Sequence, residues 1–153
     1  MTELAPVTKN KKKSASRIGA VQSLYSSKMS DVDISQTIAN FVKDGSLVEM
    51  DGISFPADYP LYEKIISGVL NREEEICEIA NSVLHSRPIE KQHVLMGCII
   101  KCGIYELLEN IDVSGKLIVN EYVNIAHSFY EEKEAKMVNA VLDNLSKKIR
   151  KKY

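Results

Sequence analysis

Helical periodicity in seven successive stretches, with no alternation of strands and helices, predicts an all-α protein: a compact helical bundle of about seven helices. Two stretches carry most of that expectation. From Lys116 to Leu145, Ile118, Tyr122, Ile125 and Phe129 recur at the spacing of one helix face, with Val119, Val123, Ala126 and Tyr130 in a row beside them. Asn120, Asn124, His127 and Glu131 occupy the opposite, wet face. After an acidic joint at Glu131-Glu132 the rhythm restarts, with Val138, Leu142, Leu145 and Ile149 inside and Lys136, Asn139, Asp143 and Lys147 outside. The second stretch, Glu90 to Glu109, is apolar nearly all round, which predicts a central helix buried on most sides.

The remaining elements follow in order. Residues 1–10 are small and polar with Pro6 and no periodicity, so residues 1–12 read as a disordered basic tail and 13–150 as a single helical domain. Ser14 or Ser16 is expected to cap the first helix, whose inner face is Ile18, Val21, Leu24 and Tyr25. Lys11, Lys12, Lys13 and Arg17 crowd its start, where the helix dipole favours acids, so an anionic partner is expected nearby. Asp33 to Lys43 forms a short second helix with Ile34, Ile38 and Phe41 or Val42 inward. Between Gly45 and Pro60 the helical pattern stops, and Asp51-Gly52, flanked by short apolar runs, marks a hairpin-like loop.

Helices over about 58–70 and 72–84 carry the stripes Leu61, Ile65, Val69 and Ile76, Ile79, Ala80, Val83. Glu73, Glu74 and Glu75 suit a first helical turn, where acids complement the dipole, better than a metal site. Pro88 separates this helix from the central one, whose Gly97 and Gly103 are expected to admit close neighbours. Asp112 or Ser114 then caps the next helix.

Charge is distributed by segment. Residues 1–30 carry six Lys/Arg against one acid, and residues 133–153 carry seven against two, a balance of +5 at each end. The 102 residues between them balance at −11, so a net charge of −1 conceals two basic ends. Bringing those ends together costs free energy that a bound polyanion removes, which makes nucleic acid a candidate ligand. Three irregularly spaced cysteines argue against a disulfide framework and fit a reducing cytosol. No apolar run reaches a membrane span's length, and the amino terminus lacks a signal peptide's apolar segment, so a cytoplasmic protein is expected. Cys98 and Cys102 share a face of an apolar helix, with His93 nearby, but no second pair follows, so no metal is expected. His85 and His127 have no triad partner in sequence, and no phosphate-binding loop or dinucleotide fingerprint is present. Neither an enzyme nor a cofactor or small-molecule substrate is expected.

Particular words in the chain say more. NEYVNIA followed by SF and MVNAVLDNL, the run Arg17, Ala20, Gln22, Leu24, Tyr25, the segment YEKIISGVL with Gly68, and IIKCGIYEL occur in the order of one family. The chain resembles that family, the bacterial transcription antitermination factor NusB, from about Lys13 to Lys147. The resemblance implies two three-helix sub-bundles packed across one another, no enzymatic activity, and binding of boxA RNA from ribosomal RNA operons together with the ribosomal protein NusE in an RNA polymerase antitermination complex. It implies RNA contacts at Lys12, Lys13, Arg17 and Gln22, and at Ser128, Phe129, Lys133, Lys136 and Met137, with Tyr25 and Glu106 on the NusE surface. Three positions depart from the pattern: Tyr130 stands for a flexible glycine, Met137 for an aromatic and Ala140 for a second glycine. Tyr130 is therefore a candidate to take over base stacking. This reading requires the lysine-rich ends to meet beside the bend after Phe129.

Two other classes compete. One is an accessory RNA-binding domain like the NusB-type module attached to ribosomal RNA methyltransferases, with the lack of any α/β segment arguing that this chain has lost, or never had, the enzyme. The other is a helical protein-interaction module whose acidic middle binds a basic partner.

Overall fold

The computed structural model describes residues 7–150, and the chain divides into two compact units with the boundary between residues 64 and 65. Seven α-helices and one two-stranded ribbon make up the described residues. Residues 1–6 of the expected tail lie outside them.

The first unit is built around α1, Lys9–Ser30. Its helix begins earlier than the sequence suggests. Thr8, not Ser14 or Ser16, is the cap, its side chain accepting from the Lys11 amide at 3.2 Å, so residues 9–12 are helix rather than tail. Ser16 is buried instead, its hydroxyl shared between the carbonyls of Lys12 at 2.9 Å and Asp58 at 2.7 Å. Asp31 ends α1 in the left-handed region, and Asp33 caps α2, Ile34–Lys43, through the amide and hydroxyl of Ser35. No residue of α2 is fully buried: Ile34, Ile38 and Phe41 are half-covered and Val42 is exposed. The apolar loop segments pair as β1, Leu47–Met50, and β2, Ile53–Pro56, antiparallel. Asp51 and Gly52 both take positive φ, 53° and 79°, the geometry that suits a tight hairpin's twist. Val48 faces α1, where Gly19 leaves room for it: a Cβ there would stand 3.2 Å from Val48 and 3.3 Å from Phe41 and Tyr62. Tyr62, at the start of α3 (Tyr59–Asn71), stacks on Phe41 with centroids 4.1 Å apart and bonds Ser23 through its hydroxyl at 2.7 Å.

In the second unit the long apolar run is indeed the centre. It does not start at Glu90: Ile89–Lys91 form a single 3-10 turn, held by Asn81 accepting from the Ile89 amide at 2.7 Å. After an extended Gln92, α5 runs Val94–Glu109 with Ile99, Ile100, Cys102, Ile104 and Leu107 wholly buried. Around it lie α4 (Glu73–Asn81), α6 (Gly115–Phe129) and α7 (Glu132–Ile149). Two of the three first-turn glutamates of α4 form ion pairs: Glu73 with Lys101 at 3.0 Å and Glu75 with Arg72, which also holds Glu109. For Lys101, burial works against the charge, but the hydrogen bond to Glu73 and the attraction of that carboxylate and of Cys77 and Cys98 together outweigh it and raise the ammonium's pKa. Ser114 caps α6 through the Leu117 amide at 3.1 Å.

Of the glycines in this unit, Gly103 faces Leu142 of α7 so closely that a Cβ would stand 2.7 Å from it, and Gly68 lies under the ring of Tyr105 with no room for one. Gly97 has no such neighbour, with only the Ile89 carbonyl at 3.9 Å, so close approach is not what it serves. Overpacking at a buried ring costs about 1–3 kcal/mol, whereas Gly to Ala in an open helix interior gains up to about 1 kcal/mol. Urea denaturation should therefore show Gly68→Ala destabilised and Gly97→Ala neutral or stabilised; equal effects would contradict the packing described.

Candidate nucleic-acid interface

Two surfaces hold the residues the sequence singles out, one in each unit. On α1, Lys9, Lys11 and Lys12 are exposed and Lys13 is half-covered, in a first turn with no acid. Lys11 lies over the Phe55 ring, 5.2 Å from its centroid. Gln22 is exposed further along and Tyr25 is half-buried. Arg17 differs from expectation. It exposes 2% of its surface, among the most buried large side chains, so its guanidinium does not face a phosphate in solution. It falls three, four and seven residues before Ala20, Val21 and Leu24, on the covered stripe of the helix.

The second surface is the joint between α6 and α7. Periodicity places Phe129, the last residue of α6, on the inner face; it is 39% exposed, because the covered face ends with Ile125 and Ala126. Ser128 is exposed and its hydroxyl donates to the Asn124 carbonyl at 3.2 Å. Lys133 and Lys136 are exposed and Met137 is half-buried. Tyr130 is the C-cap of α6, its amide on the Ala126 carbonyl at 2.8 Å. Glu131 and Glu134 form a capping box at the start of α7, each carboxylate accepting from the other's backbone. Glu132 lies 3.9 Å from His127 Nδ1 across the bend.

This arrangement favours reading a base over gripping a phosphate. An exposed ring at a helix end can stack on an unpaired base. Between residues 131 and 136, three glutamates outnumber two lysines, so the joint attracts polyanions poorly by itself. The acid-free start of α1 has the complementary property. His93, which the sequence offers only as a neighbour of Cys98 and Cys102, belongs to this joint, where its ring meets Tyr130.

Glu106 requires a second correction. It is wholly buried, accepting from the Tyr122 hydroxyl at 2.7 Å and the Asn110 amide at 2.9 Å, so it is a core acid and not part of a partner surface. Beside it, burial first and then the neighbouring Cys98 push the Cys102 thiol well above its usual range, which keeps it neutral and inert. Among the described residues, no three His, Cys, Asp or Glu stand together as metal ligands, and no helix is long and apolar enough to cross a membrane.

The NusB family's sequence profile matches residues 14–147. The chain belongs to the NusB family. It is 33% identical over 151 residues to the transcription antitermination protein NusB of Bradyrhizobium sp. (strain BTAi1), covering 95% of this chain and 89% of that protein. The NusB of Sinorhizobium fredii is 33% identical over 147 residues, with 95% and 92% covered. Among solved structures, T. maritima NusB superposes with a TM-score of 0.73 at 20% identity, covering 88% of this chain and 89% of that one. A structure of antitermination factors NusB and NusE in complex with double-stranded RNA gives 0.72 at 18% identity, covering 88% and 96%. At these identities the likeness concerns the fold: the all-helical NusB fold is that of this chain.

For a buried acid with two side-chain donors, truncation leaves unsatisfied groups, at about 1–3 kcal/mol apiece. Glu106→Ala should thus lower unfolding free energy by about 2–4 kcal/mol in urea titrations. A change within about 0.5 kcal/mol, as for a surface residue, would contradict its place in the core.

Proposed function

We propose that this chain is a non-catalytic, cytoplasmic transcription antitermination factor that binds boxA-type single-stranded RNA of ribosomal RNA operons together with NusE. Membership of a family whose relatives are antitermination proteins supports the role, as does the near-complete span of those relatives. A family structure that holds NusE and RNA supports the partners. The observation that carries the RNA reading is Phe129, an aromatic left exposed at the end of α6 with Lys133 and Lys136 following it. In this reading the lysines of α1, Lys12 and Lys13 above all, supply affinity that is blind to sequence. Phe129 and its neighbours Ser128, Tyr130 and Met137 supply discrimination, because stacking and edge contacts need an unpaired base. Gln22 and Tyr25 remain proposed contacts to RNA and NusE respectively. With Arg17 and Glu106 buried, neither is part of the proposed contact surface.

Fluorescence anisotropy with a labelled single-stranded boxA RNA and a scrambled control, across salt and with or without NusE, tests this. Lys12→Ala with Lys13→Ala should weaken both RNAs alike and reduce the log–log salt slope by about 1.4, at about 0.7 per phosphate contact on a single strand. Phe129→Ala should weaken boxA by about 1–3 kcal/mol and the control less. NusE should tighten boxA specifically. Binding that ignores all three changes would overturn the assignment.

A further inference from the structure

His93 is the N-cap residue of α5, a position whose side chain ordinarily accepts from the first helical turn, yet its imidazole makes no such bond. Nδ1 stands instead 2.6 Å from the hydroxyl of Tyr130, and the two rings meet edge to face at 90°, centroids 5.9 Å apart. Tyr130 is extended there, at φ −135° and ψ 177°, with its amide bonded to Ala126. The residue is held twice: its backbone by the end of α6, its hydroxyl by the start of α5. Immediately after it, the capping box fixes the first turn of α7. Immediately before it stands Phe129, exposed. A hydrogen bond open to water adds little stability, so its consequence lies in geometry.

Resting on the RNA-binding reading of the joint, we propose that His93 and Tyr130 form a latch that fixes the bend between α6 and α7 before RNA arrives, presenting Phe129 to an unpaired base. The ordering entropy of the bend is then met on folding rather than on binding, which raises affinity without a new contact to the ligand. Either imidazole tautomer serves, since the phenol can donate to a bare Nδ1 or accept from Nδ1–H. His93 is a positioning residue that acts through Phe129, and the Tyr130 hydroxyl shares that role, while the Tyr130 ring proposed to contact a base is left in place by Tyr130→Phe.

The test measures anisotropy of a labelled single-stranded boxA RNA for His93→Ala, Tyr130→Phe, the double variant, His93→Asn and Phe129→Ala. His93→Ala and Tyr130→Phe should each weaken binding about fivefold, and the double variant no further, because either change opens the same latch. The salt slope should stay that of the parent, since no charge contact is lost. His93→Asn, whose amide can reach the position of Nδ1, should bind within about twofold of the parent. The imidazole 15N shifts of His93 should move in Tyr130→Phe, reporting the lost bond directly. Should Phe129→Ala weaken binding while Tyr130→Phe and His93→Ala bind as the parent does, the latch is overturned and the RNA reading stands. Should Phe129→Ala have no effect, the RNA reading of the joint falls and the latch with it. Additive losses in the double variant, or no rescue by His93→Asn, also count against the latch. If His93→Ala fails to fold, Tyr130→Phe alone decides, since it removes a single oxygen.

Discussion

One guanidinium closes the second unit. Arg150, just past the end of α7, donates Nε to the carbonyl of Leu107 at 2.7 Å, Nη1 to Val113 at 2.9 Å, and Nη2 to Asn110 at 3.0 Å and Glu106 at 3.4 Å. The carbonyls of Glu106 and Asn110 also accept from the amides of Asn110 at 2.8 Å and Val113 at 3.2 Å, so the guanidinium adds a second donor there, at a helix terminus and turn where carbonyls otherwise lack intrahelical partners. A cation at a helix C-terminus is also favoured by the dipole. Arg150 thereby caps α5, orders the turn into α6 and ties down the tail of α7. The adjoining buried acid, Glu106, bonds the turn through Asn110 and α6 through Tyr122. The three helices meet at this end through polar groups that have few alternative arrangements.

The opposite end of α6 and α7 depends on that closure. At about 1.5 Å per residue, the 18 residues of α7 run about 27 Å back to the joint. With one end pinned by Arg150 and the middle packed through Val138, Leu142 and Gly103, the bend at Tyr130 is left as the adjustable element. A glycine at that position would leave it so; a tyrosine bonded to His93 does not. What results is an aromatic side chain displayed on a rigid corner, in a setting whose glutamates are mostly engaged in capping. In the function proposed above, phosphate attraction falls to the lysines of α1 and base contact to the joint, so affinity and discrimination would come from different residues.

Much of this was legible in the chain. The period of the apolar residues located all seven helices, and the acidic break between α6 and α7 fell within a residue or two of the observed joint. The central helix followed from a run apolar on all sides, and the hairpin from Asp51-Gly52. The misplacements share a cause: periodicity assigns a face but not how far a neighbour covers it. Phe129 continues the inner row of α6, yet the covering core ends one turn earlier. The charge of Arg17 points to solvent, while its spacing to Val21 and Leu24 puts it under cover. Glu106 sits between Tyr105 and Leu107, and the groups that satisfy it come from Asn110 and from Tyr122 on another helix. The cap at Thr8 was hidden because an acid-free lysine run argues against a helix start. His93 and Tyr130 are 37 residues apart, and no local pattern connects them.

The central claim is that the α6–α7 joint reads the RNA. Amide hydrogen exchange with and without a boxA RNA addresses it without altering a residue. Slowed exchange should concentrate in peptides spanning Ser128 to Met137 and the start of α1, with the exit of α5 near Arg150 unchanged. Protection centred elsewhere, with the joint exchanging at its free rate, would contradict the account.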